Sequence, residues 1–156
     1  MNYPEYESKK RRNFGFSVGF IGGLIMVFVS LAVFFMNGAD TNGDIFVWFI
    51  QLFVYFLVGR IAASKQADGQ EDSYEPTKGV TGAGVGAALV TAIAMWIFII
   101  LRGIIRDAMG MYITIEPISF CGWIIIDILL ALGIGRLAGR SIEKHHDLDS
   151  YDTNNF

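Results

Sequence analysis

Asp127 is the residue best placed to do chemistry, because its carboxyl group lies deep inside a long apolar stretch of the chain. Burying a carboxylate there costs several kcal/mol unless the group is protonated or paired. Such a group can relay protons, bind an ion or hold a polar substrate. It can equally stay neutral and form hydrogen bonds that hold helices together. The residue type alone leaves both interpretations open.

Gln51 and Thr91 complete a candidate intramembrane polar site around Asp127. Gln51 is the one amide well inside an apolar stretch, and it precedes Asp127 by 76 positions. If the two stretches are equivalent, the two polar side chains occupy the same depth. Thr91 is a further hydrogen-bonding candidate for the carboxyl group.

Other reactive residues lack partners at a suitable spacing. His145 and His146 have no further ligand-type residues at the spacing of a metal site, and Cys121 has no histidine at a similar depth. The sequence contains no serine–histidine–aspartate arrangement and no phosphate-binding glycine loop. We therefore expect a protein that is not an enzyme, with no catalytic residues, cofactor or metal.

Four apolar stretches must position these residues. They cover residues 14–36, 45–63, 80–101 and 118–138, and each approaches the roughly 20 residues that a helix needs to cross a bilayer. Hydrophobic residues make up 53% of the chain and charged residues only 17%, against about 25% charged in soluble domains. The sequence predicts an all-α polytopic membrane protein with four transmembrane helices.

The connections between the stretches predict less regular structure. Residues 41–44 (Thr-Asn-Gly-Asp) are typical of a tight turn that also caps the second helix. Residues 102–116 suggest a helical extension of the third span or a segment lying on the membrane interface. Pro117 suits the first turn of the fourth helix, since no hydrogen bond is lost there.

Basic residues predict the orientation. Ten of the 12 lysines and arginines flank one side of the four spans, and only Arg102 and Arg106 lie on the other. The positive-inside rule places both termini in the cytoplasm, and the general pattern is similar to small prokaryotic proteins of the cytoplasmic (inner) membrane. Arg60 and Arg136 lie near the inner ends of their helices, where we expect them to anchor the interface.

The domain organisation follows from these spans. We predict a cytoplasmic N-terminal tail (1–13), a first two-helix repeat (14–63), a cytoplasmic linker (64–78), a second two-helix repeat (79–140) and a disordered cytoplasmic tail (141–156).

An internal duplication of a two-helix hairpin underlies that division. At an offset of 76 positions, residues 59–62 (Gly-Arg-Ile-Ala) match residues 135–138 (Gly-Arg-Leu-Ala). At an offset of 64, small residues of the first span coincide with those of the third. Two spans per unit predict a parallel repeat, related by an axis along the membrane normal.

Glycines spaced four apart form a second pattern. Residues at this spacing share one helix face, and glycine allows close approach where lipid supplies no hydrophobic drive for association. We predict helix packing within the bundle, or alternatively an oligomer seam. The glycines concerned are Gly15, Gly19, Gly23, Gly82, Gly86, Gly135 and Gly139.

The tryptophans follow a third pattern. Trp48, Trp96 and Trp123 lie toward the outer ends of their spans, as an aromatic belt at the membrane interface predicts.

Two functional hypotheses remain open. The preferred one is a structural or accessory membrane protein that packs with itself or with a larger membrane complex, because packing signals are abundant and chemical groups are scarce. The alternative is a minimal transporter or channel with a midplane polar site at Asp127 and Gln51. In both cases the bilayer is a partner, and the net charge of −3 argues against nucleic acid.

Overall fold

Four α-helices make up the described part of the chain. The computed structural model describes residues 14–37, 41–69, 79–108, 110 and 117–152, and it contains no strand within them. The helices are α1 (Phe14–Asn37), α2 (Thr41–Asp68), α3 (Val80–Ala108) and α4 (Pro117–Asp152). Each is long and apolar enough to cross a membrane. The predicted all-α fold with four transmembrane helices is confirmed.

Three helix ends differ from the sequence-based expectation. Helix α2 begins at Thr41, so residues 41–44 form its first turn instead of a separate tight turn. It also continues to Asp68 and includes the first residues of the predicted linker. Helix α4 continues to Asp152, so the disorder predicted for residues 141–156 is wrong for residues 141–152. Extension is inexpensive because each added residue prolongs a helix that has already nucleated.

The remaining connections are only partly described. Helix α3 reaches Ala108, as the helical-extension alternative predicted, and Pro117 is the first residue of α4. The N-terminal tail (1–13), most of the linker (70–78) and residues 153–156 lie outside the described residues.

The helices pack as an open, staggered bundle. Helix α1 contacts α2 and α3, α4 contacts α2 and α3, and α2 also contacts α3, whereas α1 and α4 do not touch within the described ranges. Small side chains fill the interfaces, as expected where close backbone approach drives association in lipid. The fully buried alanines are Ala62, Ala63, Ala87, Ala88, Ala92, Ala131 and Ala138.

Helices α2 and α4 lie side by side and run in the same direction. Contacts between them follow the same order along both helices: Trp48 meets Trp123, and Gln51 meets Asp127. Further along, a Cβ on Gly59 would lie 3.5 Å from the Cα of Gly135. Residues 76 positions apart therefore occupy equal depths on adjacent parallel helices.

The duplication itself stays a prediction, although burial bears on its register. Positions 51, 55, 59, 62 and 63 of α2 are buried, and so are their counterparts 76 residues later in α4. For α1 and α3, an offset of 65 positions aligns buried residues with buried residues better than the expected offset of 64. At 65, each of the following α1 positions is buried and aligns with a buried α3 position: 15, 18, 19, 22, 23, 26 and 30. A shift of one residue turns a helix by about 100°, so sequence identity and burial select different registers.

The expected symmetry axis is not seen in the helix arrangement. A two-fold axis along the membrane normal would map the α2–α3 contact onto an α4–α1 contact. Helices α2 and α3 touch, but α1 and α4 do not within the described residues. One hairpin laid beside the other by translation accounts for this pattern, because it leaves α1 and α4 on opposite flanks.

Candidate functional site

Asp127 lies in the interior of the bundle, in the first third of α4. Its side chain is 2% exposed, and it precedes Arg136 by nine residues, or roughly 13 Å along the helix. Helices α2 and α3 both pack against this part of α4. Helices α2 and α3 therefore shield the carboxyl group of Asp127 from the surroundings of the bundle.

One oxygen of Asp127 accepts three hydrogen bonds from two other helices. Gln51 Nε2 and Tyr55 Oη of α2 donate to Oδ2 at 2.9 Å each, and Trp96 Nε1 of α3 donates to the same atom at 2.7 Å. These four residues are called the Asp127 cluster below. The cluster links α4 to both of its neighbours at a depth where water is scarce.

The two α2 donors also interact with each other. Gln51 Nε2 donates to Tyr55 Oη, which in turn donates to Asp127. Gln51 and Tyr55 lie four residues apart and so share one helix face. Tyr55 is fully buried, and its hydroxyl group both accepts and donates a hydrogen bond.

The second oxygen of Asp127 differs from the first. Oδ1 is buried and has no hydrogen-bond partner among the described residues, and the same holds for Trp48 Nε1. The Trp48 ring stacks edge-on against Trp123, with the ring centroids 6.4 Å apart. A buried acceptor without a partner is costly, so a donor bound to Oδ1 would stabilise the cluster.

The structure brings only part of the predicted polar site together. Gln51 lies within hydrogen-bonding distance of Asp127, but Thr91 does not belong to the cluster. Thr91 Oγ1 lies 3.0 Å from the carbonyl oxygen of Gly19 on α1 and 2.9 Å from that of Ala87 on its own helix. Its hydroxyl group therefore joins α3 to α1.

Tyr55 and Trp96 were missed by sequence reasoning. The spacing of Tyr55 from Gln51 was an available signal, because the two share a helix face and a buried tyrosine hydroxyl group needs a partner. Trp96 was assigned to the aromatic belt, yet its indole N–H points to Asp127. Only the packing of α3 against α4 reveals that direction.

The glycines of the predicted pattern differ in how closely they approach a neighbouring helix. A Cβ on Gly19 would lie 2.5 Å from the carbonyl oxygen of Ala87, and one on Gly139 would lie 2.6 Å from the Cα of Thr81. By contrast, a Cβ on Gly82 meets nothing within 4 Å among the described residues, and one on Gly86 has its nearest described neighbour at 3.9 Å. The close approach on α3 is at Gly84, where an added Cβ would lie 2.8 Å from the carbonyl oxygen of Gly135.

The other glycines of the pattern lie at contacts between helices, and the two predicted anchor arginines lie on the surface. Gly15 is buried, Gly23 would place a Cβ 2.5 Å from the Cβ of Ala94, and Gly135 packs on α3. Arg60 and Arg136 are exposed.

Within the described residues, no three histidine, cysteine or acidic side chains are grouped as a metal site requires.

Comparisons with known proteins do not extend this description. The chain matches no protein-family model, and no curated protein or solved structure shows significant similarity to it.

Proposed function

We propose that this small integral membrane protein has a structural or accessory role, packing with itself or with a larger membrane complex. The observation that supports the proposal is that polar side chains inside the spans form hydrogen bonds between helices. Three donors from α2 and α3 converge on one oxygen of Asp127. They make the carboxyl group an interhelical acceptor.

A second polar contact works in the same way. Thr91 of α3 bonds to the backbone of α1 through the carbonyl oxygen of Gly19, at a place where the two helices approach closely. The Thr91 contact links α3 to α1, and the Asp127 cluster links α4 to α2 and α3. Polar contacts therefore connect all four helices. Polar side chains that hold helices in place are what a rigid packing module requires.

The test is the assembly state of the full chain in its native membrane. Chemical cross-linking before mild-detergent extraction, followed by purification through a C-terminal tag, should yield a reproducible homo-oligomer or a larger complex. Asp127→Asn should give the same assembly, because asparagine retains an acceptor oxygen. A wild-type chain that remains an uncross-linked monomer would contradict the proposal.

A transporter or channel is the second candidate, and the unpartnered Oδ1 of Asp127 favours it. An oxygen with spare acceptor capacity can take up and release a proton or a cation. The purified chain in liposomes should then produce a pH-dependent flux that Asp127→Asn abolishes. Equal flux in wild-type, Asp127→Asn and protein-free liposomes would exclude this candidate.

A further inference from the structure

Arg60 of α2 and Arg136 of α4 lie side by side. Each follows a glycine, and the two glycines are in contact: a Cβ on Gly59 would lie 3.5 Å from the Cα of Gly135. Standard bond lengths then place the two arginine Cα atoms at most about 13 Å apart. Since the helices are parallel at this point, the two arginine Cα atoms lie at about the same depth.

Large apolar side chains flank both arginines. Arg60 and Arg136 are exposed and lie inside the stretches Phe46–Asp68 and Cys121–Lys144, which are apolar enough to span the membrane. Their exposed neighbours include Leu57, Ile61 and Leu137, side chains that suit contact with acyl chains, and the exposed Arg140 lies one turn beyond Arg136 on α4. The arginine stems therefore leave the helices among lipid-facing residues.

Neither arginine has an anionic partner in the protein as described. No carboxylate of the described residues forms an ion pair with Arg60 or Arg136. A guanidinium group keeps its charge at every accessible pH, so within an apolar surface it must reach an anion or the membrane interface. A long arginine side chain reaches the headgroup layer by snorkelling.

We propose that Arg60 and Arg136 together bind the phosphate of an anionic phospholipid on the α2–α4 face. The planar guanidinium fork matches phosphate oxygens in a bidentate way, and two forks at one depth can grip one headgroup. A lipid of net negative charge suits the pair better than a zwitterionic one, whose own ammonium group opposes two cations. The inference is independent of the structural role proposed above.

The test measures which lipid stays with the protein. The full chain is reconstituted into phosphatidylcholine vesicles containing a minor share of phosphatidylglycerol, extracted again in mild detergent, and analysed for retained lipid per chain by mass spectrometry. The wild type should be enriched in phosphatidylglycerol. The double variant Arg60→Gln/Arg136→Gln should lose about tenfold or more of that enrichment, because it removes both charge-assisted contacts to the headgroup phosphate.

A matched control separates a site from general charge attraction. Lys65→Gln/Lys144→Gln removes the same number of charges from two exposed lysines on the same helices. These lie five and eight residues beyond the arginines, or roughly 7 and 12 Å further along the helix axis. This variant should retain the wild-type enrichment.

The single variants Arg60→Gln and Arg136→Gln keep the test decisive if the double variant fails to fold, because each should lose part of the enrichment. Equal enrichment in wild-type and arginine variants would overturn the proposal. An equal loss in the lysine variant would overturn it as well, because diffuse charge would then explain the retention.

Discussion

At the residue scale, the carboxyl group of Asp127 makes the densest polar contact among the described residues. Its Oδ2 atom accepts hydrogen bonds from Gln51, Tyr55 and Trp96. All three donors would be left without this acceptor if the oxygen were removed. An interhelical hydrogen bond in a membrane contributes about 0.6 kcal/mol on average and up to about 1.7 kcal/mol.

We therefore expect Asp127→Ala to lower the free energy of unfolding by about 2 kcal/mol or more. The loss combines three missing hydrogen bonds with a small cavity. Reversible unfolding of the purified chain in mixed micelles with increasing SDS measures the difference.

Asp127→Asn provides the matched control for this prediction. Asparagine has nearly the same volume and keeps one acceptor oxygen, so we expect a much smaller loss of stability. If alanine and asparagine at position 127 were equally destabilising, the negative charge itself would be required, contrary to the interhelical-acceptor interpretation.

At the scale of the helices, α3 is the element against which α1 and α4 pack most closely. Helix α1 approaches it through Gly19, and α4 approaches it through Gly135 and Gly139. At these points the ideal Cβ position falls within 3.0 Å of backbone atoms on α3. Since backbone cannot move aside as the end of a flexible side chain can, the glycines set the distance between the helices.

The single substitutions Gly19→Ala and Gly139→Ala should each destabilise the bundle by about 1–3 kcal/mol, as overpacking of an interior does. Gly82→Ala is the matched control, because a Cβ there meets no described residue within 4 Å. We expect it to be neutral or slightly stabilising, since alanine favours the helix.

Thermal denaturation of the three glycine variants in one detergent checks this ranking. An outcome in which Gly82→Ala is as harmful as Gly139→Ala would show that Gly82 packs against something outside the described chain, such as a second copy.

At the scale of the whole molecule, the outer surface is dominated by large apolar side chains. Exposed leucines and isoleucines occur on all four helices, and exposed phenylalanines occur on α1 and α2, as expected for a surface in contact with hydrocarbon. Ten of the 12 basic residues flank one side of the spans. This asymmetry predicts that both termini face the cytoplasm.

Cysteine labelling tests the orientation. In a Cys121→Ser background, a single cysteine at Asn2 or at Phe156 should resist a membrane-impermeant maleimide in intact cells and react after lysis. Labelling of either position from outside intact cells would refute the predicted topology.

The candidate site was only half predictable from the sequence. Asp127 and Gln51 stand out because a polar side chain in an apolar stretch is conspicuous in any single helix. Tyr55 and Trp96 do not stand out, since aromatic residues are ordinary in a membrane span. Their role depends on which helix faces they meet, and that is a property of the assembled bundle.

The sequence by itself determined the four spans, because a helix must satisfy its own backbone and expose about 20 apolar residues to cross hydrocarbon. Those requirements are local to each stretch of chain. Only the tertiary structure decided which face of each helix lies inside. Helices that are apolar on every side have no polar face to mark the outside. Close packing therefore selected Gly84 over Gly82 and directed Thr91 toward Gly19 instead of Asp127.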